Sequence, residues 1–183
     1  MTTNTELEVR VVRLEARAEI FDCVQRYARG MDRRDRPLLR SAYHDDAVDD
    51  HIGFVGPVED FIDWAFAYHA TQTRYQHYLL NHTAEVNADE AHAETYYLFV
   101  GTDHEPPNHI TLSGGRYIDR LERRNGRWAI VDRVCVVEWN AESTNLITEE
   151  VLAMLTDIKS ATRDRSDPSY TRPLVAARPS TAS

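Results

Sequence analysis

Four side chains have the types and positions that acid–base chemistry needs: His77, Asp32, Tyr27 and Arg133. In a strand beginning at Tyr75, alternation places His77, Leu79 and Asn81 on one face and Gln76, Tyr78 and Leu80 on the other. An imidazole with an ordinary pKa of roughly 6.5 accepts a proton at neutral pH without heavy tuning. A histidine bonded to a backbone group and merely packed is the competing reading. Asp32 falls at the C-terminal end of a helical pattern, where the helix dipole disfavours a carboxylate by up to about 1 kcal/mol. There it either faces water, pairs with Arg33 or Arg36, or meets an imidazole, and Asp35 competes for the same job. Tyr27 can offer a phenol to a substrate oxygen, yet it also completes an apolar stripe with Ile20, Val24 and Met31. Arg133 shares a strand face with Cys135, Val137 and Trp139. Arginine among apolar neighbours is rarely buried unpaired, so a salt bridge to a helix carboxylate is the plain expectation for it.

Other chemistries are poorly supported. The run from His44 to His51, HDDAVDDH, is rich in metal-ligand types but fits neither an HExxH helix nor a calcium-binding loop. His77 and His82, five apart on one strand, are expected on opposite faces. Ser41 and Ser113 lack the context of a nucleophile elbow, and Cys23 and Cys135 form no CxxC pair. Gly114-Gly115 stands alone, without a phosphate-binding glycine loop. No metal or cofactor is therefore expected.

The elements that must position these groups follow from pattern. The chain has 183 residues, 42% of them hydrophobic, which suits one domain with its own core plus extensions. Residues 6–31 read as a long helix ended by Gly30 and the MDRRDRP stretch. A short helix carrying Leu38, Leu39 and Tyr43 follows, then a short strand or two, then a helix over 57–72 with Pro57 in its first turn. Segments 75–87, 91–101, 109–123 and 127–139 are strand-like, and Asn125-Gly126 signals a type I′ hairpin between the last two. Gly114-Gly115 inside the third segment suggests a bulge or bend. Residues 147–160 read as a further helix, and the remainder as an extended tail draped at Tyr170 to Leu174 and frayed at its end. The predicted fold is α+β: a strongly curved antiparallel sheet with N-terminal helices on its concave face, forming a cone with a pocket. The expected division is a domain over 1–145 and a C-terminal helix and tail over 146–183.

Charge and composition restrict the partners. The formal net charge is −9, and its basic clusters, such as Asp32 to Arg36, are diluted by acids, which argues against nucleic acid. No apolar run approaches the ~20 residues of a membrane helix. The start, MTTNTELEVR, lacks a signal-peptide core, so a soluble cytoplasmic protein is expected.

The Tyr27…Asp32 helix, AYHDDAVDDHIGFVGP, QHYLLNHTAEVNADEAHAETYY and GGRYIDRLERRNGRWAIVDR together resemble the SnoaL-like branch of the nuclear-transport-factor-2 superfamily over roughly residues 15–140. That resemblance implies the cone fold and several possible activities, because its members include dehydratases, a dehydrochlorinase, isomerases, cyclases and non-catalytic dioxygenase β subunits. It implies His77 as catalytic base, with Asp32 fixing its tautomer. It further implies Tyr27 near the leaving group and Arg133 as a substrate or oxyanion contact. Tyr43, Phe54, Trp64, Tyr97 and Tyr117 are candidate substrate-binding walls, suited to a flat, apolar, ring-bearing molecule. The expected activity is a cofactor-free lyase of the dehydratase type. An isomerase, cyclase or hydrolase with the same dyad, or a scaffolding subunit, is the alternative. Assembly as a homodimer or homotrimer is expected, to cover the convex face of the sheet.

Overall fold

The first helix, α1 (Asn4–Arg33), buries Ile20, Cys23, Val24, Tyr27 and Met31 along one stripe, a periodicity of three and four that lays one face on the sheet. The computed structural model describes residues 4–154 and 161–176. The α1 helix ends in a Schellman pair: the Asp35 N–H donates to Gly30 O (2.9 Å) and the Arg34 N–H to Met31 O (3.1 Å), with Arg34 at φ 50°. Gly30 therefore does not end the helix, as its sequence position suggests. It lies inside, where a Cβ would sit 2.4 Å from the backbone nitrogen of Leu39, so its role is to let the next helix approach. That helix, α2 (Arg36–Arg40), is capped by Asp35, whose carboxylate accepts from the Leu38 N–H at 3.2 Å. Asp32 is thereby held in the last turn of α1.

Tyr43, expected on the short helix, instead begins strand β1 (Tyr43–His51), which pairs with β2 (Phe54–Pro57). Helix α3 (Val58–His69) then packs Phe61, Ile62 and Ala65 inward. Four long strands follow: β3 (Gln72–Asn87), β4 (Glu90–Asp103), β5 (His109–Arg124) and β6 (Arg127–Thr144). They form an antiparallel meander. The β5–β6 turn at Asn125-Gly126 has φ of 54° and 76°, the two positive values that a type I′ hairpin requires. The sheet order is β2-β1-β6-β5-β4-β3, and β1 runs parallel to β6. The sheet is thus mixed rather than wholly antiparallel, because helix α1 sets the direction in which β1 enters. The result is a curved, unclosed α+β cone. A short helix α4 (Glu149–Met154) follows β6, while the rest of the helix expected over 147–160 and the end of the tail lie outside the described residues.

Two irregularities shape the concave face. Between Gly114 and Gly115 the β5–β6 register shifts: Gly114 faces Trp139 and Gly115 faces Val137, so the extra residue, Glu138, lies on β6. The glycines make room for it, since a Cβ on Gly114 would meet the Trp139 ring at 2.4 Å and one on Gly115 the Val136 carbonyl at 2.0 Å. In β3 a second shift, between Leu79 and His82, inserts one residue relative to β4. It reverses the alternation, so His82 faces the same side as His77 and not the opposite one. There His82 lies 4.8 Å from the Phe21 ring of α1 and bonds to Thr95 Oγ1 at 2.8 Å.

The tail returns to the C-terminal end of α1. Arg163 stacks 3.7 Å above the Tyr75 ring and donates to the backbone oxygen of Asp32 (3.2 Å). The Tyr170 hydroxyl donates to Asp35 (2.9 Å), whereas Leu174 is exposed. Docking therefore runs from Arg163 to Tyr170 and does not extend to Leu174.

Gly115→Ala is expected to lower stability by at least about 1–3 kcal/mol, because the backbone of β6 must move away from the new methyl. Urea unfolding of the two proteins measures this, and an unchanged midpoint would show that the sheet yields there without cost.

Candidate active site

A cavity of about 350 Å³ lies between α1, α3 and the concave face of the sheet. Its walls are mainly aromatic, with Phe61, Trp64, Tyr97, Phe99 and Tyr117 among them, and three histidines, His51, His69 and His77, also line it. A ring-bearing molecule fits such walls.

His77 lines this cavity and is bonded to Asp32, which lies behind it, outside the lining. His77 Nδ1 donates to Asp32 Oδ1 at 2.7 Å, and the His77 backbone N–H contacts both carboxylate oxygens at 3.1 Å. Their side chains are 6% and 14% exposed, so the pair is largely withdrawn from water. With Nδ1 committed to Asp32, Nε2 is the nitrogen left to take a proton. The backbone contacts also offset the unfavourable placement of a carboxylate at a helix C-terminus. Asp35 points elsewhere, capping α2 and accepting from Tyr170.

Tyr27 lines the cavity and is 1% exposed. Burial drives its phenol pKa far above the usual value, so it remains a hydrogen-bond donor. Arg133 does not line the cavity. It is 1% exposed, and its Nε and Nη2 each donate to Asp119, also buried, at 2.7 Å. The reason is register: Arg133 and Asp119 face each other across β6 and β5, so a strand carboxylate captures the guanidinium. The cation lies between the rings of Tyr27 (4.0 Å) and Tyr117 (4.3 Å), and among the described residues its Nη1 has no hydrogen-bond partner. Arg133 thus supports Tyr27 from behind and does not reach a substrate oxyanion.

Of the five expected walls, Trp64, Tyr97 and Tyr117 line the cavity and two do not. Tyr43 is fully buried and donates to Asp49 Oδ2 at 2.6 Å, and Phe54 stacks behind Trp64 at 5.6 Å. Both pack behind the wall residues, although His51 at the end of β1 reaches the cavity itself.

Sequence reasoning did not assign His51, His69, Thr111 or Asn140 to the cavity. His51 bonds through Nδ1 to Asp49 Oδ1 at 3.2 Å, with Asp49 fully buried. Burial alone would pull the His51 pKa down, but Asp49 and the adjoining Cys135 thiol outweigh it and push it up to about 9. His69, in the last turn of α3, bonds through Nδ1 to Gln72 Oε1 at 2.9 Å. Burial, reinforced by His77, holds its pKa down at about 3, so this ring stays neutral. Asn140 lies on the part of β6 beyond the expected strand end. Asp49 and His51, two apart on a strand, were detectable as a same-face pair; His69 and Asn140 carried no comparable signal. Among the described residues, no group of three or more His, Cys, Asp or Glu side chains is placed to hold a metal ion, and no helix is long and apolar enough to cross a membrane.

Two stability predictions follow from these buried groups. Asp119→Ala leaves a buried guanidinium unpaired and is expected to cost about 3–5 kcal/mol in chemical denaturation. His69 has a folded pKa below its unfolded value of roughly 6.5, so its contribution is complete above that pH and is lost as pH falls toward about 3. Melting temperatures of the wild type should therefore fall more steeply across that window than those of His69→Gln; parallel curves would contradict a neutral His69.

Comparison with known proteins places this geometry. A SnoaL-like domain matches residues 12–134. The fold aligns with a hexachlorocyclohexane dehydrochlorinase, LinA type 2, at TM-score 0.67 and 26% identity, covering 75% of this chain and 95% of that one. The LinA-type3 dehydrochlorinase from Novosphingobium barchaimii LL02 aligns at TM-score 0.67 and 25% identity, covering 73% and 94%. A putative scytalone dehydratase from Novosphingobium aromaticivorans DSM 12444 shares the fold at TM-score 0.64 and 15% identity, covering 76% and 95%. No curated protein sequence matches the chain. With the domain match spanning most of its length and the cone recurring in these structures, the chain belongs to the SnoaL-like domain family.

Proposed function

We propose that the chain is a lyase of the dehydratase type, acting on a small, apolar, ring-bearing hydroxylated or ketone substrate, with His77 as general base and Asp32 as the group that orients it. The observation carrying this reading is the 2.7 Å contact between His77 Nδ1 and Asp32 at the wall of an aromatic cavity. Asp32 holds the tautomer whose Nε2 lone pair accepts a proton, and its charge stabilises the imidazolium that forms. In water-poor surroundings that stabilisation is stronger than in bulk solvent. Tyr27, kept protonated by burial, donates a hydrogen bond to a substrate oxygen, and the Arg133 cation behind its ring makes the phenol a better donor. Likeness to two hexachlorocyclohexane dehydrochlorinases, at 25% and 26% identity, supports elimination as the reaction class.

The base is testable without knowing the natural substrate. Exchange of the C3 protons of 4-phenylbutan-2-one in D2O, followed by NMR, reports proton abstraction next to a carbonyl and needs no leaving group. The wild type should accelerate exchange. His77→Ala and Asp32→Asn should each lower the rate by about 10²–10⁴-fold in protein whose circular dichroism remains native-like. Full exchange activity in His77→Ala would sink the proposal.

A further inference from the structure

The cavity holds a second carboxylate–imidazole pair. His51 sits on a different wall from His77, beside Phe61 (5.2 Å between ring centroids) and Tyr117 (6.0 Å), whereas His77 neighbours His69 (5.5 Å) and Phe99 (5.1 Å). Asp49, which steers His51, is fully buried in β1, and its second oxygen is occupied by the Tyr43 hydroxyl. Asp49 also lies in register with Arg133 on β6, which lies in register with Asp119 on β5, so a row of alternating charge fixes its position. Both imidazoles line one aromatic enclosure, and His51 also adjoins the Cys135 thiol.

From this placement we infer that His51, positioned by Asp49, is the general acid that protonates the leaving group, and that the substrate class is therefore a β-hydroxy carbonyl compound losing water. The inference rests on the reading of His77 as the base. A halide departs as a stable anion without a proton, whereas hydroxide is a poor leaving group that requires one. The step balances as a β-elimination. His77 Nε2 takes the proton α to the carbonyl, and the C–H electron pair becomes the new C=C bond. The C–O bond breaks toward oxygen, which takes a proton from His51 and leaves as water. His77 then releases its proton to solvent and His51 regains one.

The charge state suits this assignment. Facing His51 are Asp49 on its own strand, Tyr117 of β5, Cys135 of β6 and, across the cavity, His69 of α3; Phe61 and Trp64 complete its surroundings. Tyr117 is kept a neutral phenol and His69 a neutral imidazole by burial, so Asp49 is the ionised group in direct hydrogen-bond contact. The ring is thus a cation at neutral pH, with a pKa pushed up to about 9, while His69 between the two sites is not.

Two measurements test the inference. The first compares 4-hydroxy-4-phenylbutan-2-one with its 4-chloro analogue, which give the same unsaturated ketone by loss of water or of hydrogen chloride. In His51→Gln the ratio of hydroxy- to chloro-ketone turnover should fall by about 10²-fold or more, while His77→Ala lowers both rates. An unchanged ratio in His51→Gln overturns the acid and leaves the base standing. A wild type that turns over neither ketone sinks both readings. The second needs no variant activity: imidazole ¹⁵N shifts of the whole wild-type chain, assigned with His51→Gln, should show His51 doubly protonated at pH 7.5 and losing its proton near pH 9. A neutral His51 ring at pH 7.5 overturns the inference.

Discussion

The hydrogen bond from His77 Nδ1 to Asp32 ties the first helix to the sheet at the point where both meet the cavity. A carboxylate in the last turn of a helix faces the negative end of the helix dipole, so this position is unfavourable unless donors converge on it. The His77 ring and backbone supply them from β3. The approach depends in turn on the Schellman end of α1 and on Gly30, whose missing side chain admits α2. Arg163 of the tail closes the arrangement from outside, binding the Asp32 backbone oxygen while its cation covers Tyr75. The dyad thus joins four parts of the chain, and its geometry is set by packing that lies largely outside the cavity.

Two imidazoles of one enclosure, His69 and His51, are shifted in opposite directions, and the neighbours of each account for the difference. His69 bonds to the neutral Gln72 amide, so burial prevails and the ring stays neutral. His51 has a buried carboxylate, so attraction prevails and the ring holds its proton. Arg133 and Asp119 form a floor beneath these groups. Their mutual hydrogen bonds keep the guanidinium from acting on a ligand directly, and its charge reaches the cavity through the Tyr27 and Tyr117 rings.

Much of this was readable from residue order. Hydrophobic spacing in Ile20, Val24, Tyr27 and Met31 located the buried stripe of α1, and Asn125-Gly126 located the hairpin because its backbone angles admit few other residues. Alternation in β3 put His77 inward. The same rule failed five residues later at His82, since an inserted residue leaves no mark on composition. The parallel pairing of β1 with β6 was hidden for a similar reason: strand direction is set by the path of α1 and α2, not by any local pattern in HDDAVDDH. Arg133 was misassigned because the sequence could not show that Asp119 stands opposite it, fourteen residues away across a hairpin. His51 was overlooked because an acidic run reads as solvated surface, although Asp49 lies fully buried within it.

The cavity itself is a consequence of the sheet's irregularity. A regular β5–β6 ladder would carry side chains at Gly114 and Gly115 into the space now occupied by Trp139 and the Val136 carbonyl. The extra residue on β6 bends the ladder beside Ser113, Val137 and Asn140, all of which line the hollow. On the packed side of the hollow, Tyr27 and Tyr117 are in edge contact at 5.3 Å and enclose the Arg133 cation. His51 and His77 both line the hollow, and each is bonded to a carboxylate, Asp49 on β1 or Asp32 on α1. A ring held from behind in this way keeps a fixed orientation toward the space in front of it, and the packed elements that carry the two carboxylates supply that support.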